Sequence, residues 1–168
     1  IRINDPVIFC EHKGLYRQSY STTPSPDKDY LLPLGKAKIV QHGEDLTVIS
    51  YGLSLWDSLH VSRKIADESG HSIEVIDLRT IIPLDEETIY NSVKKTGKVL
   101  IVHEDTLTGG FGGEIAARIS DNCFRYLDGP VKRVAADDVH IPYHPLLENA
   151  VLPVKEKIYK SMKELLAF

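Results

Sequence analysis

Four aliphatic residues stand together at Val99-Leu100-Ile101-Val102 with no polar residue among them. A strand with one wet face alternates apolar and polar side chains, so an unbroken run marks a strand covered on both faces, the usual state inside a parallel sheet. From Lys36 onward the chain supplies the rest of such a sheet. Residues 37–40, 46–50, 73–76 and 131–135 are further β-rich runs. Between them lie helical patterns. Ser54-Leu55-Trp56-Asp57 resembles a capping box opening a helix with Leu55, Leu59 and Ala66 inward and Gly70 just past its end. Asp85 caps a helix carrying Ile89 and Val93 that stops at Gly97. Ile115, Ile119 and Cys123 recur every four residues, and Val154, Ile158, Met162 and Leu165 give a closing helix its stripe. Strands separated by helices imply right-handed crossovers. His42-Gly43-Glu44-Asp45 reads as a hairpin-like turn, which makes one edge strand antiparallel. The expected fold is a three-layer α/β/α sandwich on a mixed, mostly parallel five-stranded sheet with one antiparallel edge strand.

Ahead of this pattern, residues 6–10 form a short apolar run that reads as a buried strand without neighbours. Residues 19–27 have no periodicity and contain two prolines, the mark of a linker. A length of 168 residues, 42% hydrophobic and 26% charged, suits one main globular core. A net charge of -4 without a long run of one sign offers no field for a phosphate backbone, so nucleic acid is not an expected partner. No apolar stretch approaches the roughly 20 residues that cross a bilayer, and no signal-peptide pattern opens the chain, so a cytoplasmic (bacterial) or mitochondrial-matrix location is expected. Cys10 and Cys123 each sit in an apolar pattern and read as free buried thiols.

In an open α/β sheet, ligands gather beyond the carboxyl ends of the strands. That points to the stretch from His103 and Glu104 through Gly109, Gly110, Gly112 and Gly113. Two readings fit it. The glycines could expose backbone N–H groups to an anion, with His103 or Glu104 as acid or base, as in a flavodoxin-like small-molecule binder. Alternatively they allow a tight strand-to-helix turn, with His103 and Glu104 bonded to a neighbouring subunit. The dinucleotide fingerprint fails because Ile115 stands where its third glycine belongs, and no Walker lysine closes the loop. His140 and His144 are four apart, but Pro142 and Pro145 argue against the helix that would converge them on a metal. His12, His42, His60 and His71 read as ordinary surface residues. No serine or cysteine stands in a nucleophile arrangement, so no catalytic, cofactor-binding or metal-binding residue is assigned.

Several segments, in order, resemble one family. They are Pro6-Val-Ile-Phe-Cys-Glu-His-Lys with Leu15-Tyr16-Arg17, Pro33-Leu-Gly-Lys-Ala, Asp45-Leu-Thr-Val-Ile-Ser-Tyr-Gly52, and above all Val75-Ile-Asp-Leu-Arg-Thr-Ile-Ile-Pro-Leu-Asp85. Lys95-Thr-Gly97, His103-Glu104 with Leu107-Thr-Gly-Gly-Phe111, Pro142-Tyr143, Leu147-Glu148 and Pro153 continue the order. Together they resemble the beta-type chain of the thiamine-diphosphate-dependent 2-oxo acid dehydrogenases, the branched-chain (2-oxoisovalerate) type more than the pyruvate type. The resemblance implies that residues 36–168 are a transketolase C-terminal-like domain, 19–35 a linker, and 1–18 the tail of the preceding pyrimidine-binding domain. It implies a parent enzyme that oxidatively decarboxylates a 2-oxo acid with thiamine diphosphate and magnesium. The family's Gly-Asp-Gly motif does not occur in this sequence and the activating glutamate would precede Ile1, so this piece is expected to bind no cofactor and to be inactive alone.

The resemblance also implies partners: an alpha-type chain or region, a second beta-type chain, and the subunit-binding domain of the lipoyl acyltransferase. Relatives meet basic residues of that last partner with an acidic residue before an Ala-Pro or Gly-Pro step and with their terminal carboxylate. Asp128-Gly129-Pro130 and Phe168 match this arrangement, although Asp-Gly is equally an ordinary turn pair.

Overall fold

A computed structural model describes residues 3–168. Five strands form one sheet: β1 (Lys38–Gln41), β2 (Leu46–Ser50), β3 (Ile73–Asp77), β4 (Val99–Thr106) and β5 (Lys132–Ala136). Their order is β1-β3-β2-β4-β5. Every neighbouring pair is parallel except β1 against β3. The antiparallel edge is therefore present, but the hairpin is not. β1 passes over its sequence neighbour β2 and pairs with β3, in the register Lys38↔Asp77. The physical reason is at Gly43, where a Cβ would lie 2.2 Å from the Ile73 carbonyl carbon. The 42–45 segment is a close crossing under the start of β3, with the Glu44 and Asp45 amides donating to the Ser72 carbonyl.

Helices cover both faces. α1 (Leu53–Ser69) and α5 (Lys155–Leu166) lie on one side, and α2 (Glu86–Thr96) and α3 (Phe111–Cys123) on the other. The 99–102 run is buried between the two clusters, Leu100 and Val102 facing α1 and α5 while Val99 and Ile101 face α2 and α3. Of the expected α5 stripe, Val154 stands at the N-cap and is only partly buried, whereas Ile158, Met162 and Leu165 are fully buried. Each such side chain contributes about 1.5–3 kcal/mol. Asp85 caps α2, accepting from the Thr88 amide, and Gly97 ends that helix in the left-handed region.

Further expectations are corrected. Residues 6–10 form no strand and lie exposed, Ile8 at 91%, so Cys10 is an exposed thiol while Cys123 is buried. Ser54 does not cap α1; Gly52 does, at φ 65, and the Ser54 hydroxyl is buried inside the first turn without a partner. Ala66 is only partly buried, and Val61 and Ile65 fill the core instead. The proline-rich stretch after β5 contains a short helix, α4 (Pro145–Val151), started by Pro145 at its first turn.

At the amino edge of the sheet Glu74 is buried, accepting from Ser92 Oγ at 2.5 Å and Lys95 Nζ at 2.6 Å. Burial alone would push its carboxyl up, but the bonds from Lys95, Ser92 and the Gly43 amide outweigh that and hold it below the usual range.

Candidate functional site

The carboxyl edge of the sheet carries the loop singled out in the sequence. β2 leads into α1 on one face and β4 into α3 on the other, so the crevice between them is the switch point of the fold. His103 ends the apolar run of β4 and is fully buried. Its ring is parallel to Tyr51 at 6.4 Å, and neither ring nitrogen makes a hydrogen bond. Burial lowers its proton affinity and Arg133 adds to that, against an opposing pull from Asp105, so the imidazole is neutral at physiological pH.

The glycines pack against this ring. A Cβ at Gly112 would come within 2.2 Å of His103 Nε2, and one at Gly110 within 2.2 Å of the Thr106 carbonyl oxygen. The room a phosphate would need over these two residues is taken. Gly109 turns the chain at φ 80 with open space around it, and Gly113 lies beside Arg133. Glu104 points to the outer side and pairs with His12, Nε2 to Oε2 at 2.7 Å. His12 is thus not an ordinary surface residue; it ties the N-terminal segment to the end of β4. Asp138 holds the loop down, accepting from the Thr108 amide at 2.9 Å and the Thr108 hydroxyl at 2.6 Å. These bonds draw its carboxyl below the usual range. Among the described residues no group of three His, Cys, Asp or Glu side chains is placed to hold a metal, and the sequence contains no Gly-Asp-Gly. The residues present do not fit thiamine diphosphate with magnesium.

Asp128 and Phe168 meet elsewhere. They line one groove of about 830 Å³ beside α3, together with Gly113, Ala116, Ala117 and Ser120. A Cβ at Gly129 would come 3.2 Å from the Phe168 ring, and the Asp128 amide donates to the Gly97 carbonyl at 2.7 Å. Two residues 40 positions apart are thereby set side by side, Asp128 by the turn between α3 and β5 and Phe168 by the end of α5. Arg133 also lines this groove, and sequence reasoning missed it; only its register on β5, one residue beyond the Lys132↔Leu100 pair, sends its side chain toward α3.

Residues 35–158 match the family described as transketolase, C-terminal domain. The chain belongs to the transketolase C-terminal domain family. Within it, the chain is 43% identical over its full length to the 2-oxoisovalerate dehydrogenase subunit beta of Bacillus subtilis, covering 51% of that protein. It is 42% identical to the mitochondrial 2-oxoisovalerate dehydrogenase subunit beta of Dictyostelium discoideum, covering 44% of it. It is 38% identical to a pyruvate dehydrogenase E1 component subunit beta of Staphylococcus epidermidis, covering 50% of it. The chain spans about half the length of the curated relatives it matches. Among solved structures, a split-gene transketolase in an inactive beta4 tetramer superposes with a TM-score of 0.71 at 22% identity, over 84% of this chain and 44% of that one, which shows the shared transketolase C-terminal fold. No helix among the described residues is long and apolar enough to cross a membrane.

Proposed function

We propose that this transketolase C-terminal domain is the C-terminal part of the beta region of a thiamine-diphosphate-dependent 2-oxo acid dehydrogenase of the branched-chain type. Similarity over the whole of this chain to about half of each 2-oxoisovalerate dehydrogenase beta subunit, at 43% and 42% against 39% and 38% for pyruvate relatives, supports the reading and favours it over the pyruvate type. In this reading the parent enzyme oxidatively decarboxylates a branched-chain 2-oxo acid and passes the acyl group to a lipoyl acyltransferase. The cofactor and magnesium are held by other parts of the assembly. The segment before the linker belongs to the preceding pyrimidine-binding domain, and its exposed Val7, Ile8 and Phe9 are surface that domain would cover.

The part played by this domain is assembly and docking. It packs against an alpha-type chain or region and a second beta-type chain. His103, Glu104 and the glycines from Gly109 to Gly113 shape the edge of the sheet for such packing. Asp128 and Phe168 receive the subunit-binding domain of the acyltransferase, and their convergence in one groove supports this role. Charges at a rim of this kind set association rate and partner choice.

Calorimetry of the chain with a purified acyltransferase subunit-binding domain tests the docking role. Asp128→Asn is expected to weaken binding by about 1 kcal/mol or more and to flatten its dependence on salt. An unchanged affinity and salt slope would remove Asp128 from the interface.

A further inference from the structure

We infer that residues 12–21 form a strap fastened across the carboxyl edge of the sheet, with His12 as its pin, and that the closed strap shuts the crevice between the ends of β2 and β4. This device is separate from the docking role proposed above.

Burial singles out the fastening points. Every described residue ahead of Gly35 is exposed except His12, Leu15 and Ser21. A relay of main-chain bonds links these three. The Leu15 amide donates to the His12 carbonyl at 3.0 Å, the Gln18 amide to the Leu15 carbonyl at 3.2 Å, and the Ser21 amide to the Gln18 carbonyl at 3.2 Å. The Ser21 hydroxyl closes the far end, shared between the carbonyls of Leu15 at 3.0 Å and Gln18 at 2.9 Å. Turns joined in this way open together, because freeing one removes the bond that starts the next.

Each end of the unit grips the folded domain. At the first, both ring nitrogens of His12 are spent. Nδ1 accepts from the Gly14 amide at 3.1 Å, which leaves the proton on Nε2, and Nε2 donates to Glu104 Oε2 at 2.7 Å. The ring stands over Gly52, where an added Cβ would lie 3.6 Å from His12 Cδ2 and 3.9 Å from Glu104 Oε2. At the second, Tyr20 packs on Trp56 of α1, with ring centroids 5.8 Å apart and tilted by 57°.

Gly52 follows β2 at the start of α1, and Glu104 lies on the last part of β4, so these two residues are the lips of the crevice. Ligands of open α/β sheets enter at such a place. Here the imidazole of the chain itself lies across it. A displacement of the segment ahead of residue 12 reaches the ends of β2 and β4 through this one ring, and release of the ring uncovers the crevice.

The experiment measures how firmly the strap is held in the chain carrying His12→Asn, Glu104→Ala, or both. Asparagine keeps an acceptor for the Gly14 amide but is too short to reach Glu104. Two reporters are built in: Lys13 and Arg17 are exposed trypsin sites within the strap, and Trp56, the single tryptophan of the chain, packs against Tyr20. Each single substitution is expected to speed cleavage after Lys13 and Arg17 about fivefold or more, as the open population rises. Acrylamide quenching of Trp56 is expected to rise about twofold with it, since the strap opens as one unit. The double substitution should add nothing to either single, and thermal midpoints should stay in place because none of these residues belongs to the core. Unchanged cleavage in either single variant would overturn the inference. Faster cleavage with unchanged quenching would show that the two ends are held separately, so that there is no strap. A double variant cleaved faster than both singles would mean that His12 and Glu104 act apart and would remove the pin. A large fall in thermal midpoint would make the segment part of the core's support and overturn a strap that opens by itself.

Discussion

His103 shows how much a single buried ring can determine. Its neutral imidazole fills the space between Tyr51 and the first turn of α3, and the fully buried ring cannot take up a proton without a desolvation cost. The folded state therefore binds that proton less readily than the unfolded chain, whose histidines titrate near 6.5. Stability is unaffected by this group above that value and falls as the pH drops below it, because the unfolded state gains protons first. Thermal melts at pH 7.5 and pH 5.5 should show His103→Gln losing less stability on acidification than the unsubstituted chain; equal losses would place the acid sensitivity elsewhere. Local signals such as the Asp85 cap were legible in the sequence because donor and acceptor are three residues apart. The burial of His103 was not, since a polar residue ending an apolar run looks the same whether it points to water or into a helix turn. Ser54 misled for a related reason: the left-handed Gly52 starts α1 before the serine is reached, and a capping pattern does not reveal where the preceding strand stops.

At the level of elements, the periodic helices and the β4 run declared themselves, and the pairing of β1 did not. Four turn-forming residues between two β-rich runs suit a hairpin, yet 42–45 serve to pass beneath β3. Strand order depends on what fits between strands, and that information sits in Gly43 and Ile73, thirty positions apart. Gly43→Ala would drive a methyl group into the Ile73 main chain, which cannot move aside without disturbing the β2–β3 and β1–β3 ladders. The expected cost is about 2 kcal/mol or more, of the order seen when rigid cores are overpacked. Urea denaturation would measure it, and a loss below about 0.5 kcal/mol would show that the crossing is looser than described. Convergence of Asp128 with Phe168 was reached through family resemblance, since spacing alone cannot bring two residues 40 apart into one groove.

As a whole molecule the chain sets two well-packed faces on one sheet, a neutral buried imidazole at the carboxyl edge of that sheet, and Asp128 in an outer groove with no ion pair among the described residues. The expected result with a branched-chain 2-oxo acid, thiamine diphosphate and magnesium is no decarboxylation by this chain alone, assayed by release of carbon dioxide. Measurable turnover would show that this chain itself holds the cofactor.

The insertion of β3 between β1 and β2 also has a bearing on how the polypeptide acquires its shape. Leaving the ribosome, residues 38–41 come out before any of the sheet exists, yet the strand they pair with is made 34 to 39 residues later, after the whole of α1. The first strand synthesised must wait, and it is seated only once its younger neighbour is already in place.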